Sequence, residues 1–212
     1  MNLVELFTSI ADAIRTKKGT TDKIKAEDFP TEIEKIEGGE ELYFSTDGRT
    51  YTKKVVIPDN IKTIGGSAYY GCKKLKEIVI PNSVTSIGNF ALQDSGITSI
   101  SLPNSVTSIG MYGIAGCKNL TYMFLPSSIT SVNTRPFNTN NALREVVLGE
   151  GFNCSIDISS GTYTVEVMVA MFEALKDNTG ETAKTLTLGA TNLNKLTDEQ
   201  KAIVTNKNWN LA

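Results

Sequence analysis

The chain has 212 residues, with a hydrophobic share of 40% and a charged share of 21%, the balance of a folded protein with a buried core rather than a disordered one. Lys and Arg number 21 against 23 Asp and Glu, a formal net charge of -2, so no general attraction draws the chain to a phosphate backbone, and nucleic acid is excluded as a partner. No apolar run approaches the ~20 residues that span a bilayer, so no membrane insertion is expected.

In chain order, Leu3, Leu6, Phe7, Ile10 and Ile14 recur at helical spacing and give one apolar face. The same stretch carries Glu5 and Asp12 where a secretory signal would have positive charge followed by an unbroken apolar run. Either export does not use that route, or the signal has been removed. Gly19, Thr20 and Thr21 interrupt the pattern, and a second short helix is expected from Pro30 to Ile36, with Phe29, Ile33 and Ile36 available to pack on the first. Gly38-Gly39 closes this N-terminal helical module at residues 1–39. Asp47-Gly48 is a two-residue hairpin signal, so residues 40–57 form a hairpin entry cap over the first edge of the units that begin at Pro58.

From Pro58 the sequence is periodic. Pro58, Pro81, Pro103, Pro126 and then Gly149 stand 23, 22, 23 and 23 residues apart, the mark of stacked units whose apolar faces are completed by their neighbours. The third residue after each proline is Ile61, Val84, Val106 or Ile129; the sixth is Ile64, Ile87, Ile109 or Val132. The eleventh is Tyr69, Leu92, Ile114 or Phe137, and Leu75, Ile97, Leu120 and Leu143 follow, with one residue missing from the second unit. All of these read as inward positions. Before each proline an alternating pair, such as Ile78 and Ile80 or Met123 and Leu125, reads as a short strand, because proline fixes φ and supplies no ladder donor.

The period is lost after Ile158. Val165, Met168, Val169, Phe172 and Leu175 mark a helix that stops at Asp177-Asn178-Thr179-Gly180. Leu186 and Leu188 suggest a strand, Leu186 to Leu193 one degenerate repeat, and Thr197-Asp198-Glu199-Gln200 a capping box opening a last helix with Ala202 and Ile203 inward. Residues 159–212 are therefore expected to be a C-terminal capping module. The whole reads as an α+β fold: a solenoid of 22–23-residue units with short parallel strands over residues 58–158, between an N-terminal helical pair and a C-terminal helix and strand cap.

The runs Ile80-Pro81-Asn82-Ser83-Val84-Thr85-Ser86-Ile87-Gly88, Leu102-Pro103-Asn104-Ser105-Val106-Thr107-Ser108-Ile109-Gly110 and Gly116-Cys117-Lys118-Asn119-Leu120 resemble the BspA-like class of bacterial leucine-rich repeats, over residues 55–158. In the fourth unit Pro136 replaces the small residue and Asn140 the Cys. The resemblance implies a non-catalytic protein-binding or adhesion module of a bacterial surface-type protein, with a host or cell-surface protein, or a glycan, as partner. The flanks Ile10 to Arg15 with Phe29 to Ile33, and Lys184 to Gly189 with Leu196 to Lys201, resemble modules of phage and prophage structural proteins. That second resemblance implies the alternative of a structural or receptor-binding tail component. Between cell surface and virion the sequence leaves the location open.

No histidine occurs, which removes Ser-His and Cys-His nucleophile pairs and the commonest metal ligand. There is no phosphate-binding GxxxxGK(S/T) loop and no dinucleotide fingerprint. Glu40-Glu41 are adjacent and point apart. Neither catalysis, nor a metal, nor a cofactor is expected. Cys72 and Cys117 lie two stacking steps, roughly 10 Å, apart, beyond the ~7 Å disulfide limit, so both are expected to be reduced and buried, and Cys154 has no evident partner. Asp177 to Glu181 lacks the ligand spacing of a calcium loop. A candidate binding face comes from the outward strand parity: Val56, Val79, Ser101, Phe124 and Val147, with Tyr122 on the flank beside Lys54, Glu77, Ser99 and Glu145. Either a partner binds it, or one of the flanking modules folds over it, or its β-branched residues merely suit a strand. Opposite runs a hydroxyl ladder, Lys62-Thr63, Thr85-Ser86, Thr107-Ser108 and Thr130-Ser131, suited to glycan contact or to hydrogen bonding between units.

Overall fold

The computed structural model describes residues 53–212; the expected N-terminal helical pair and the Asp47-Gly48 hairpin lie outside them. Each unit contributes a short strand on either side of its proline. The first set is β1 (Lys54–Val56), β3 (Glu77–Val79), β5 (Ser99–Ser101), β7 (Tyr122–Leu125) and β9 (Glu145–Leu148). The second is β2 (Thr63–Ile64), β4 (Ser86–Ile87), β6 (Ser108–Ile109) and β8 (Ser131–Val132). All pairing is parallel. The second set forms one four-stranded ladder, whereas the first is split into β1-β3 and β5-β7-β9. The split falls where the second unit is one residue short. There Gly96 donates its N–H to the Cys72 carbonyl, and a Cβ at this position would fall on the Lys73 carbonyl, so the backbones meet more closely than any side chain allows.

A third row of hydrogen bonds closes each unit. Alternate turn residues donate forward to the next unit, as in Phe90 to Met111, Leu92 to Gly113 and Asp94 to Ala115. This row holds left-handed backbone at fixed offsets: Ser67, Phe90, Tyr112 and Arg135 in one column, Gly71, Asp94, Gly116 and Thr139 in another. Single left-handed residues of this kind cost energy; here Ser67, Phe90, Tyr112, Gly71, Asp94 and Gly116 are each fixed by an N–H bond to the next unit. Phe90 and Tyr112 consequently stack, ring centroids 5.8 Å apart at 11°.

Within these coils the inward columns are buried as their period requires. Val84, Val106, Leu92, Ile114, Phe137, Leu75, Ile97, Leu120 and Leu143 are all 0% exposed. Ile61, Tyr69 and Val132, on the outer units, are half-buried. Pro58, Pro81, Pro103 and Pro126 follow the strands of the first ladder, where no further donor is needed.

Past β10 (Ile156–Asp157) a helix, α1 (Val165–Ala174), takes the place a strand would occupy beside β9. Thr164 caps its start by accepting from the Val167 N–H, and Met168, Met171 and Phe172 face the core. The period persists beneath it, since Leu175 bridges in parallel to Phe152. Where the sequence suggests one degenerate repeat, the chain adds two parallel strands, β11 (Lys184–Thr187) and β12 (Trp209–Leu211), in the order β10-β11-β12. Leu186 to Leu193 divides between β11 and a single helical turn, α2 (Ala190–Leu193). The last helix, α3 (Asp198–Asn206), carries the expected capping box: Thr197 N–H donates to Gln200 Oε1 and Gln200 N–H to Thr197 Oγ1. Its buried residue is Val204, with Ala202 and Ile203 half-buried instead of fully inward. Lys207 Nζ, just past α3, donates to the carbonyls of Phe172, Glu173 and Leu175 and so closes the C-terminus of α1.

Candidate functional site

Parallel register decides which side chains share a face. Val56 pairs with Val79, Ser101 with Phe124, and Phe124 with Val147. Their chain neighbours Val55, Ile57, Ile78, Ile80, Ile100, Met123 and Val146 are all buried. The row therefore points away from the core. Val56 is 48% exposed, Val79 38% and Val147 37%; Ser101 is exposed, and Tyr122 and Phe124 are half-buried. Tyr122 stands between Ser99 and Glu145. Lys54 and Glu77 face each other across β1 and β3 as an ion pair of 3.1 Å with both side chains largely in water, which contributes little to stability. The structure thus brings all six candidate residues onto one face, apolar along its middle and charged at its edge.

The C-terminal segment does not take up this row. Helix α1 packs beside β9 and leaves Val147 in water.

The hydroxyl ladder has a different fate. Thr63 Oγ1 and Ser86 Oγ are 2.9 Å apart, and Thr85, Thr107 and Thr130 each donate to a carbonyl one unit earlier, those of Lys62, Thr85 and Thr107. These hydroxyls tie unit to unit and are engaged by the chain itself. Thr98 and Thr121, at the foot of the first ladder, do the same.

Buried polar atoms follow the same logic. Cys72, Ser95, Cys117 and Asn140 occupy equivalent places in successive units, all buried. Cys117 Sγ donates to the Leu92 carbonyl at 3.3 Å and lies 3.4 Å from Ser95 Oγ. Asn140 Oδ1 accepts the Cys117 N–H at 2.9 Å while its Nδ2 donates to the Ile114 carbonyl at 2.7 Å. In the sequence Asn140 looks like decay of the repeat; in the fold it supplies two bonds that a Cys could not. Asn192 acts likewise further on, accepting the Tyr163 N–H and donating to the carbonyls of Gly161 and Leu188.

Chemistry of the nucleophilic kind finds no support in these environments. The three cysteines are free thiols, each buried. Burial pushes Cys117 up to about 11 and Cys154 upward, and it raises Tyr69 to about 12, so at neutral pH the thiols of Cys117 and Cys154 are protonated and weakly reactive. Asp177 is held low by the Thr179 hydroxyl and N–H, an interaction within its own turn. Among the described residues no group of three Cys, Asp or Glu could hold a metal ion, and no helix is long and apolar enough to cross a membrane.

Comparison with known proteins agrees with the repeat. The profile of the BspA type leucine rich repeat region matches residues 44–160 in 6 copies, more units than the four to five visible from the prolines, and beginning ahead of Pro58. No curated protein matches the chain. Three solved structures are similar. A leucine-rich cell surface protein from Faecalibacterium prausnitzii is 15% identical, with 76% of this chain and 60% of that one covered and a TM-score of 0.33. The pneumococcal vaccine antigen PcpA is 18% identical, with 70% and 43% covered and a TM-score of 0.43. A leucine-rich repeat protein from Bacteroides ovatus is 15% identical, with 76% and 54% covered and a TM-score of 0.31. The chain therefore spans less than two thirds of each.

Proposed function

We propose that this chain, which belongs to the BspA-type leucine-rich-repeat family, is a non-catalytic protein-binding module of a bacterial surface-type protein, its partner seated on the outward strand face of Val56, Val79, Ser101, Tyr122, Phe124 and Val147. In this reading residues 58–158 form the solenoid body, residues 1–39 and 40–57 precede it, and residues 159–212 cap its far end. The observation that carries the reading is the exposure of three valines on the outward side of the first ladder, in two patches, the second beside an aromatic pair. Apolar side chains held in water at fixed spacing stabilise nothing in the free chain, and contiguous patches of this kind mark contact sites. Tyr122 and Phe124, side by side on β7, are of types enriched at interfaces, and Tyr is among those that dominate binding energy.

The assay is adhesion of chain-coated beads to epithelial monolayers, a surface rich in host proteins. Wild-type beads are expected to adhere, and Tyr122→Ala with Phe124→Ala to lower adhesion at least tenfold, about 1.4 kcal/mol, with the melting temperature unchanged. Beads that never adhere, adhesion unaffected by the double substitution, or loss accompanied by a large fall in melting temperature would each refute the face as an adhesive site.

A further inference from the structure

We propose that the edge at the foot of the first ladder is a binding site for an anionic polysaccharide, a linear chain bearing sulfate or carboxylate groups. The small net charge of the whole chain hides an uneven distribution. Residues 53–144 hold nine Lys and Arg against three Asp and Glu, whereas residues 145–212 hold five against nine. The basic part is thus a region of its own, and the stacking of the units gathers five of its cations into one row.

Backbone bonds set the levels of that row. The Lys76 N–H donates to the Lys53 carbonyl, Thr98 to Lys76, Thr121 to Thr98 and Arg144 to Thr121, so these five positions stack one per unit, ~4.8 Å apart. Lys53 supplies a charge at the first level and Arg144 at the fifth. Lys73 and Lys118 each follow the buried Cys of their turn, where Leu75 and Leu120 donate back to Cys72 and Cys117; they supply the second and fourth. The third level belongs to the short unit, where Gly96 carries no side chain. Lys76 Nζ reaches forward to the Gly96 carbonyl at 3.3 Å and brings the missing charge there. One cation therefore stands at each of five levels over ~19 Å, and all five residues are exposed.

Little opposes this charge. Asp94 approaches Lys73 at 3.8 Å, but the lysine side chain is 66% exposed, so the pair is weak. Glu77 is paired with Lys54 at 3.1 Å on the neighbouring outward face, and Glu145 stands beside Arg144 at the far end. The ligand class follows from what the row contains. Point charges at regular steps match a linear polyanion. No aromatic residue occupies these columns, so nucleobases find nothing to stack on, and no apolar anchor is present for a protein hot spot. Thr98 and Thr121, at the third and fourth levels, give their hydroxyl protons to the carbonyls of Lys76 and Thr98, which leaves their oxygens as acceptors for sugar hydroxyls.

The row uses none of the six residues of the proposed protein-binding face, so this test and the bead assay fail independently. Heparin, a sulfated polysaccharide, is the probe, titrated into the full chain over a range of salt. Five contacts, each releasing ~0.7 counterion as on a flexible strand, give a log–log slope of about -3.5, roughly a hundredfold weakening for a fourfold rise in salt. Lys73→Gln with Lys118→Gln removes two levels: affinity at low salt is expected to fall about tenfold and the slope to flatten to about -2, with the melting temperature unchanged. Lys73→Arg with Lys118→Arg should bind as wild type does. Lys184→Gln with Lys201→Gln, an equal change of charge in the C-terminal segment, should leave affinity and slope as they were. A full chain that does not bind heparin, a slope unchanged in the glutamine variant, loss in the arginine variant, or an equal loss in the C-terminal control would each overturn the proposal. Tighter binding of polyglutamate or of a single-stranded oligonucleotide than of heparin overturns it as well, and assigns the edge to an acidic protein or to nucleic acid.

Discussion

Asn140→Ala tests whether the buried polar column holds the units together. Asn140 is 0% exposed, as are Cys117 and Ile114, whose N–H and carbonyl it satisfies. The alanine leaves both backbone groups buried without these bonds, and each such group costs about 1–3 kcal/mol. The expected loss is therefore roughly 2–6 kcal/mol, which for a chain of this size lowers the melting temperature by about 2–4 °C per kcal/mol. Urea titration followed by circular dichroism measures it. Asn140→Asp separates hydrogen bonding from volume. Its neutral carboxyl keeps an acceptor for the Cys117 N–H and a donor for the Ile114 carbonyl, whereas its charged form is buried against a carbonyl oxygen. Burial raises the folded-state value above the unfolded one, so the aspartate variant should gain stability relative to wild type as pH falls from 7 towards 4. A cost below about 1 kcal/mol for the alanine, or an aspartate variant indifferent to pH, would refute the reasoning.

Gly96→Ala is expected to destabilise by at least the 1–3 kcal/mol typical of overpacking, because its Cβ meets backbone, while Gly65→Ala, with nothing within 4 Å of the new atom, should be near neutral; paired thermal melts compare them. Cys117 stays protonated in the fold up to about 11 against an ordinary 9, so it contributes stability fully present below pH 9 and lost as pH rises through 11. Across that window Cys117→Ser, the residue found at the equivalent Ser95, should lose roughly 2 kcal/mol less than wild type in urea titrations at pH 8 and 11. Truncation after Ile158 removes α1, β11 and β12 and uncovers Phe152, Ile156 and Ile158, all buried; light scattering should show aggregation, and a monodisperse product would refute a capping role.

The inward columns were legible because the period repeats them: a residue that recurs every 22 or 23 positions and is always apolar has one place to go. Less legible as a β-ladder was the Thr63–Ile64, Ser86–Ile87, Ser108–Ile109 and Ser131–Val132 set. Two residues give one outward and one inward position, too short for alternation to register, though the aligned hydroxyls were visible and their bonding between units is what the structure has. Helix α1 was legible as a helix from the spacing of Val165, Met168 and Phe172. That it stands where a strand would stand, with Leu175 continuing the column of Phe152, is a tertiary fact that the spacing of one helix does not contain. Strand parity likewise assigned Val56, Val79 and Val147 to the outer face, but parity is a property of one strand, whereas exposure depends on what else packs there.

The two faces of the first ladder are under different demands, and this bears on what can bind. Inward positions must keep both size and shape, since each fills a close-packed layer between two others. Outward positions are released from that demand, and they vary accordingly: valine, valine, serine, phenylalanine, valine. Ser101 sits just past the β3–β5 break and divides the row into two apolar patches, Val56 with Val79 and Phe124 with Val147, the nearer pair two strand steps or ~10 Å apart. A helix presents residues i and i+7 on one side at ~10.5 Å. An apolar helix lying across the strands would therefore place one anchor on each patch and pass a polar or small side over Ser101. On the face proposed for binding, that spacing would suit a helical partner.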